Sequence, residues 1–322
     1  MIEELNTYTY DDLDDTQDAM PNQCETYGDN LEEEAQHDTT RIYIQNLNGL
    51  RWDEDGGRWP FICNVLASMQ VDVACFSELN TDTNKYKVRT AMESICQRHF
   101  QQSRLVAATT SHTTRRAYKP GGTAILACNN ITTQIKSHSR DRMGRWSSLA
   151  FTAATQTIRI ISAYQVCQYH GRGTTTASSQ QEAQLIVEHQ QANHSSRLSP
   201  RQAFIQDLQA FISLSQALKE AIILTGDFNE AIHEQQSGMR GIANTCGLVD
   251  LFASRLGSPE IPSTYQRGSK RIDYVLISPV LLPHITAAGY EPFGYRIPSD
   301  HRGMYIDFST DALFQHTIAP LA

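Results

Sequence analysis

The sequence predicts an α/β fold in which two β-sheets are flanked by helices. Short apolar runs typical of strands recur along residues 41–308, and they outnumber the stretches with helical spacing of apolar residues. The helical stretches separate the strands only at intervals, which does not fit the regular strand–helix alternation of one doubly wound sheet. Two sheets with helices on their outer faces account for both observations.

Each predicted element rests on a local pattern. Strands are predicted from apolar or alternating runs at 41–47, 71–76, 122–128, 146–152, 158–166, 221–224, 271–278 and 304–308. Helices are predicted from apolar residues at helical spacing at 61–69, 84–99, 180–190 and 201–220. The polar stretch 155–157 lies between two strands and predicts a hairpin loop.

The two ends and one internal segment lack such patterns. Residues 1–40 hold 13 acidic side chains and no Lys or Arg, which predicts a disordered acidic tail. Residues 167–200 are rich in Gln, Ser, Thr and His and predict a flexible insertion within a 41–310 domain. Residues 311–322 are then a C-terminal tail. The acidic tail at residues 1–40 is interpreted as a solvated arm, with the alternative that it covers a basic groove as an autoinhibitor.

Composition excludes several classes of protein. The chain has no apolar stretch long enough to span a membrane and begins with acidic residues, not a secretory signal. Its seven cysteines are odd in number and lack a CxxC pair, which favours reduced thiols in the core over a disulfide framework or zinc site. The net charge of −8 is uneven: outside the tail, 22 acidic side chains stand against 27 basic ones, a net +5.

Polar residues capable of phosphate chemistry lie at or near the ends of the predicted strands. They are Asn46, Asn48, Glu78, Tyr164, Asp227, Asn229, Asp273, Asp300 and His301. Carboxylate and carboxamide oxygens suit magnesium, and an imidazole beside them can donate to a phosphoryl oxygen. Taken singly each could be a turn former, a salt-bridge partner or a surface residue. Their repetition at strand ends predicts metal-assisted hydrolysis of a phosphate ester.

The ordered motifs resemble the endonuclease/exonuclease/phosphatase superfamily, whose members include DNase I-like nucleases, abasic-site endonucleases and LINE-type retrotransposon endonucleases. They are Gln-Asn-Leu-Asn-Gly-Leu (45–50), Ser-Glu-Leu-Asn (77–80), Gly-Gly-Thr-Ala-Ile (121–125), Ser-Ala-Tyr (162–164), Gly-Asp-Phe-Asn (226–229), Arg-Ile-Asp-Tyr (271–274) and Ser-Asp-His-Arg (299–302). The resemblance covers residues 41–310 and is closest to the retrotransposon type at Asn48. It implies a four-layer α/β sandwich of two packed, mainly antiparallel sheets.

The resemblance also implies a role for each residue. Mg²⁺ or Mn²⁺ would be held by Glu78, with Asn46 and Asp300. Asp227 would orient or deprotonate the attacking water, and Asn229 would fix the water or the phosphate. His301, oriented by Asp273, would donate to a non-bridging oxygen, and Tyr164 would bind the phosphate or assist the leaving group.

Two motifs depart from the family pattern. The family's Tyr-x-Pro-Asn reads Tyr164-Gln165-Val166-Cys167, so the phosphate contact often made by the Asn is missing. Ser77 stands where a Gln usually precedes the metal-binding Glu. Neither change removes a core catalytic group, so we expect an active site.

Basic side chains in the loops favour a nucleic-acid substrate, although ordinary solvated loops would show the same residues. The clusters are Arg115 with Arg116 and Lys119, Arg140 and Arg142 with Arg145 beside Trp146, and Arg267 with Lys270 and Arg271; Arg302 adjoins His301. Substrate contacts are therefore expected at Asn48, Arg115, Arg145, Arg271 and Arg302.

The leading hypothesis is a metal-dependent DNA endonuclease of retrotransposon or abasic-endonuclease type, cleaving by water attack on phosphorus. The alternatives are a phosphatase of a soluble or lipid-linked phosphomonoester and a decayed, non-catalytic nucleic-acid-binding module. We expect a monomeric, intracellular protein without a membrane partner, for which a nuclear location would be suitable. No reverse transcriptase follows Phe308, so we expect a stand-alone member, a fragment or a domesticated copy, for which a reverse transcriptase partner is possible but not in this chain.

Overall fold

The computed structural model describes residues 25–31, 38–115, 117–167, 175–192, 198–234, 237–257 and 261–314. Its strands are β1 (Tyr27–Gly28), β2 (Thr39–Asn46), β3 (Val73–Ser77), β4 (Ser103–Ala108), β5 (Thr123–Cys128), β6 (Ile135–Arg140), β7 (Trp146–Thr152), β8 (Thr157–Tyr164), β9 (Glu220–Asp227), β10 (Val249–Asp250), β11 (Asp273–Ile277), β12 (Ile285–Tyr290) and β13 (Met304–Ser309). Its α-helices are α1 (Trp59–Ser68), α2 (Tyr86–His99), α3 (Ala177–Ala192), α4 (Pro200–Ala217), α5 (Gly238–Thr245), α6 (Leu251–Leu256) and α7 (Thr310–Phe314), with 3-10 turns at Asn129–Gln134 and Pro279–His284.

Within the described ranges the strands form two sheets. The first has the order β1-β12-β13-β2-β3-β5-β4, and the second has the order β10-β11-β9-β8-β7-β6. The neighbours β2 and β3 run parallel, as do β8 and β9, whereas the other described pairs are antiparallel. The prediction of two mainly antiparallel sheets is therefore confirmed.

Alternation along the strands divides the core into layers. In β2, Ile42 and Ile44 pack between the two sheets, whereas Tyr43 between them packs against α1 and α2. In β9, Ile223 packs between the sheets, and its neighbours Ile222 and Leu224 face α4 and α5. Helices thus cover the outer faces of both sheets, which confirms the four-layer α/β sandwich.

The N-terminal prediction is partly wrong. Residues 25–31 and 38–40 belong to the segment for which the sequence predicts disorder, yet β1 pairs with β12 and β2 begins at Thr39. Asp29 explains the first of these placements, because its carboxylate accepts from the Ala288 amide (2.9 Å) and the Arg255 guanidinium (2.8 Å). The rest of the predicted tail lies outside the described residues.

The predicted insertion contains a helix longer than its sequence pattern indicated. Helix α3 spans Ala177–Ala192, and the Thr110 hydroxyl donates to Gln180 (2.8 Å) while Gln181 donates to the Met143 carbonyl (3.3 Å). These contacts attach α3 to the loop after β4 and to the loop between β6 and β7. At the other end, α7 extends the ordered chain to Phe314, into the segment predicted as a C-terminal tail.

The cysteines behave as predicted where the structure describes them. Cys63, Cys75, Cys96, Cys128 and Cys246 are buried thiols, and Cys167 is an exposed one. None of the described helices has the length and apolar character needed to cross a membrane.

Candidate active site

The polar residues at the strand ends meet at one edge of the two sheets. Strand β9 runs parallel to β8 and antiparallel to β11, so Asp227 lies opposite Tyr164 on one side and Asp273 on the other. In the first sheet Asn46 ends β2 beside the parallel strand β3, whose last residue directly precedes Glu78. Because the ends of parallel strands share an edge, side chains distant in sequence converge there.

His301 and Asp273 form a buried pair. The His301 Nδ1 lies 2.9 Å from Asp273 Oδ2, and both side chains are almost fully buried. Burial alone would lower the pKa of His301, but the charge and hydrogen bond of Asp273, with the charges of Asp227 and Asp300, raise that pKa to about 10. The imidazole is therefore held as a cation at neutral pH, with Nδ1 fixed by Asp273 and the second proton on Nε2, which lies 3.4 Å from the Asn46 amide nitrogen.

Asp227 is a buried carboxyl surrounded by amide donors. Its Oδ2 accepts from Asn46 Nδ2 (2.9 Å) and Asn229 Nδ2 (3.2 Å), and its Oδ1 accepts from the Asn229 backbone amide (2.9 Å). Burial raises the pKa of Asp227 to about 8, and the negative charge of Asp273 adds to the shift while His301 opposes it. A carboxyl with such a pKa is suited to accept a proton near neutral pH.

Glu78 joins the two sheets through hydrogen bonds. Its carboxylate accepts from Asn46 Nδ2 (3.0 Å) and from the Tyr164 hydroxyl (3.1 Å). Burial, followed by the negative charges of Glu78 and Asp227, raises the pKa of Tyr164 well above its usual value, so the phenol remains a donor. The Asn46 oxygen faces away and accepts from the Asn48 amide (2.9 Å). In this arrangement Asn46 therefore offers nitrogen to the centre of the site, not the oxygen expected of a metal ligand.

Three residues of the site adopt left-handed backbone conformations. The φ angles are +47° at Asn48, +54° at Glu78 and +48° at Asn229. Asparagine tolerates this region, but a glutamate there is uncommon and is held by surrounding contacts. The Glu78 carbonyl accepts from the Gly49 amide (2.8 Å), which ties the loop after β2 to the loop after β3. Strain of this kind concentrates at functional sites.

The structure separates an acid–base cluster from the predicted metal ligands. Asp227, Asp273 and His301 are the group in the described chain whose potential ligand atoms lie within 4.8 Å of one another. Within this group His301 and Asp273 are bonded to each other, and Asp227 accepts hydrogen bonds from Asn46 and Asn229. Asp300 lies outside it, and its Oδ1 is a buried acceptor without a hydrogen-bond partner among the described residues. A hard divalent cation fits an oxygen left in that state.

Three of the arginines predicted to contact the substrate are internal. The Arg145 side chain is buried and pairs with Asp141 and Asp207, both at 2.8 Å. The guanidinium of Arg271 pairs with Asp250 and lies over the Tyr274 ring. Their charges are neutralised by these carboxylates, so neither offers a free guanidinium to a phosphate.

Arg302 is internal in the same sense. It is 1% exposed and donates to the carbonyls of Ser263 (3.1 Å), Glu25 (2.9 Å) and Glu291 (3.0 Å). It fixes the chain next to His301 and does not reach solvent. Asn48 and Arg115, by contrast, are exposed as a substrate contact requires.

Two residues of the site carried no prediction. Tyr265 forms a β-bridge with His301, and the centroids of the two rings are 5.1 Å apart. It lies in a loop, where no strand-end pattern could identify it. The Cys167 thiol lies 2.9 Å from the Asn229 side-chain oxygen. In the sequence, Cys167 is marked only by the departure of residues 164–167 from the family pattern.

A cleft opens beside Asn229. Its volume is about 580 Å³, and its lining includes Gln165, Arg201, Gln202 and Lys270. At its floor Arg201 pairs with Glu230 (2.7 Å). The cleft therefore opens next to Asn229, one of the residues that donate to Asp227.

Comparison with known proteins identifies one family. The model of the endonuclease/exonuclease/phosphatase family matches residues 45–301, which include each strand-end residue described above. Comparison with curated protein sequences gave no significant match.

Solved structures with the same fold are distant in sequence. An endonuclease/exonuclease/phosphatase family protein from Leptotrichia buccalis has 16% identity and a TM-score of 0.55, covering 83% of this chain and 98% of its own. An AP endonuclease from Leishmania major has 14% identity and a TM-score of 0.59, covering 84% and 88%. A Neisseria 3′ phosphatase, solved with a product DNA hairpin, has 16% identity and a TM-score of 0.56, covering 84% and 99%. At these identities the likeness shows the fold alone.

Proposed function

Because the chain belongs to the endonuclease/exonuclease/phosphatase family of phosphoric ester hydrolases, we propose that it cleaves DNA by metal-assisted attack of water on phosphorus. One observation carries the proposal most directly. Asn46, Glu78, Tyr164, Asp227 and Asn229 form one connected hydrogen-bond network across both sheets, and His301 and Asp273 lie beside it. A network with this many polar groups at a sheet edge has no evident purpose in packing.

Asp227 is the proposed base of the reaction. Asn229 donates to it twice, once from the backbone and once from the side chain, so the carboxylate is fixed in orientation. Deprotonation becomes complete only as the pH rises above its pKa of about 8. The water attacks phosphorus as its proton passes to a carboxylate oxygen of Asp227.

His301 is the proposed electrostatic partner of the transition state. The Asp273 carboxylate fixes Nδ1, which leaves the Nε2 proton of the cation for a non-bridging phosphoryl oxygen. Negative charge on that oxygen increases during attack, so the interaction strengthens as the barrier is approached. Tyr164, whose phenol remains protonated, is placed to donate to the phosphate or to the leaving oxygen.

Glu78 and Asp300 are the residues proposed to hold Mg²⁺ or Mn²⁺. The buried and unpartnered Asp300 Oδ1 supports this assignment. Asn46 could add a third oxygen only after its amide turns, because its nitrogen now donates to Glu78 and Asp227. When bound, the cation would supply Lewis-acid stabilisation of the phosphate and the leaving oxygen.

Three observations support DNA as the substrate. The structural neighbours include an AP endonuclease and a 3′ phosphatase solved with a product DNA hairpin, although their similarity to this chain extends only to the fold. Asn48 and Arg115 lie exposed in loops of the site face, where a phosphate backbone could contact them. Residues 45–50 also keep the start typical of LINE-type endonucleases, so we propose a retrotransposon-like nicking enzyme that acts as a monomer.

A substrate panel tests the proposal. Purified protein would be incubated with supercoiled plasmid, an abasic duplex oligonucleotide and inositol phosphates, each with Mg²⁺ or with EDTA. We expect nicked plasmid with Mg²⁺ and none with EDTA. Release of inorganic phosphate from inositol phosphates without nicking would favour the phosphatase alternative. Salt-dependent DNA binding without any turnover would favour the decayed binding module.

A further inference from the structure

Asn229 depends on a thiol for its orientation. Its side-chain nitrogen donates to the Gln165 carbonyl (2.7 Å) and to Asp227 (3.2 Å), whereas its side-chain oxygen has the Cys167 Sγ at 2.9 Å. An amide can turn by half a rotation with little change of shape, and only its partners determine which end faces the carboxylate. The thiol and the carbonyl select the same orientation from opposite ends of the amide.

The backbone that carries Cys167 is fixed relative to Asn229. The Gln165 amide donates to the Asp227 carbonyl (2.9 Å). From α4, Arg201 donates to the Val166 carbonyl (2.7 Å) and to the Asn229 carbonyl (3.4 Å). These hydrogen bonds hold the segment 165–167 against the segment 227–229 independently of the thiol, so they fix the position of Cys167 relative to Asn229.

The thiol has the protonation state that a donor requires. Partial burial, with the negative charges of Asp227 and Glu78, raises the pKa of Cys167 to about 11. The sulfur consequently keeps its proton at neutral pH and donates it to the Asn229 oxygen. Cys167 is also the exposed cysteine among those described, so reagents can reach it.

We propose that Cys167 is a positioning residue for the Asn229–Asp227 pair, and that chemical modification of its thiol inactivates the enzyme. This inference rests on the proposed function. Cys167 acts through Asn229, which in turn holds the proposed base. Losing the donor leaves the Asn229 oxygen without its partner, so that only the Gln165 carbonyl and Asp227 still orient the amide, which weakens the hold on the base without affecting the fold.

A double-mutant cycle tests the proposal. Plasmid nicking would be measured for the wild type, Cys167→Ala, Cys167→Ser, Asn229→Ala and Cys167→Ala/Asn229→Ala. Loss of one hydrogen bond is expected to lower kcat about 3- to 10-fold with KM unchanged. Cys167→Ser, which keeps a donor, should recover most of that loss. In the Asn229→Ala background, Cys167→Ala should have no further effect.

Thiol modification provides a second measurement. With methyl methanethiosulfonate the Cys167 sulfur forms a disulfide to the methylthio group, methanesulfinate leaves and the thiol proton passes to water. Nicking by the wild type should fall and recover with dithiothreitol, whereas Cys167→Ser should keep its rate.

The outcomes separate this proposal from the proposed function. A wild type that does not nick plasmid would remove both. A wild type that nicks, together with Cys167→Ala at the wild-type rate, would remove only the role of Cys167. The role of Cys167 would also be contradicted if Cys167→Ala lowered kcat as much in the Asn229→Ala background as in the wild type. The same holds if methyl methanethiosulfonate inactivated Cys167→Ser as much as the wild type. Thermal unfolding of each variant confirms that the fold is retained.

Discussion

The buried carboxyls of Asp227 and Asp273 lie close to the His301 imidazole, and charge interactions among the three groups contribute to the pKa shifts of Asp227 and His301. Asp227 has its pKa raised to about 8, whereas His301 has its pKa raised to about 10 by the charges around it. Between these values Asp227 is deprotonated while His301 is still protonated, which suits their proposed roles as base and acid. That division of roles depends on Asp273, which holds the imidazole as a cation.

Asp273→Asn tests this dependence. Losing the carboxylate removes the strongest influence that raises the pKa of His301, so the pH above which the acid form is lost should move downwards. We expect kcat to fall about 10- to 100-fold at neutral pH, as is typical for partners that orient a functional side chain. The pH profile of kcat would be measured for both proteins. A variant with an unchanged alkaline limb would contradict the role assigned to Asp273.

At this scale the sequence predicts positions better than partners. Asp227, Asp273 and His301 lie close together in the structure because strand ends at one sheet edge must converge, whereas their catalytic roles stay predictions. The arginine predictions were wrong for Arg145 and Arg271, since their partners Asp207 and Asp250 are set by tertiary packing. A local sequence pattern does not show which arginine side chains will be buried in ion pairs and which will stay exposed to a substrate.

Strand β9 reaches the site through a glycine that no other residue can replace. Gly226 has a φ of +138°, and a Cβ at that position would lie 1.9 Å from the Ala163 carbonyl oxygen on β8. Gly226→Ala would force the two parallel strands apart directly before Asp227. We expect a loss of roughly 3 kcal/mol in the free energy of unfolding, from backbone strain and overpacking together.

Gly247→Ala is the matched control for this prediction. Gly247 also has a positive φ, of +61°, but nothing lies within 4 Å of its virtual Cβ. That variant should lose only about 1 kcal/mol, the cost of the left-handed conformation. Urea denaturation of both variants gives the comparison, and equal losses would show that the strand contact is not the cause.

Asp72, at the entry to β3, should make stability depend on pH. Burial raises its pKa from 3.8 to about 6, although the Arg41 amide and charge partly oppose the shift. Because the pKa of Asp72 is higher in the folded state than in the unfolded state, Asp72 contributes its full stabilisation below pH 3.8. That contribution is lost as the pH rises through 6. The expected loss over this range is about 3 kcal/mol.

Asp72→Asn removes the titrating group while keeping a side-chain oxygen for the Arg41 amide, which donates at 2.8 Å. The stability of the wild type relative to this variant should therefore fall between pH 4 and pH 6 and stay level above that. Urea midpoints at several pH values would measure the difference. A constant difference across the range would contradict a raised pKa at Asp72.

Three strands missed by the sequence analysis have weak apolar patterns. Strand β6, with the sequence Ile-Lys-Ser-His-Ser-Arg, and strand β4 are edge strands, so little of their surface must be apolar. Strand β12 contains Ala287, Ala288 and Gly289, which carry little apolar signal. The central strands β2, β3 and β9 are buried throughout most of their length, and for that reason their apolar runs predicted them.

At the scale of the molecule, the first sheet is completed by a segment that composition assigns to an acidic tail. Composition averages over 40 residues and cannot identify the few that pair with β12. Asp29 is the residue that makes this attachment, through Ala288, Arg255 and the Tyr305 hydroxyl, which donates to its carbonyl (2.5 Å).

Asp29→Ala should weaken this edge of the molecule. It would leave the buried Ala288 amide without its acceptor, at a cost of about 1–2 kcal/mol in the free energy of unfolding. Asp29→Asn keeps an oxygen acceptor and should lose less. Thermal or urea unfolding would rank the three proteins, and an alanine variant as stable as the wild type would show that the Asp29 side chain contributes nothing to stability.

The two sheets together place Asp227 in the proposed metal-assisted hydrolytic centre. The most direct test is the initial rate of Mg²⁺-dependent plasmid nicking by the wild type and by Asp227→Asn, with Glu93→Gln on the exposed face of α2 as the matched control. We predict that Asp227→Asn loses at least about 100-fold in rate, as removal of a general base requires, while keeping the wild-type melting temperature. Glu93→Gln should keep the wild-type rate. Nicking by Asp227→Asn at the wild-type rate would contradict the central claim.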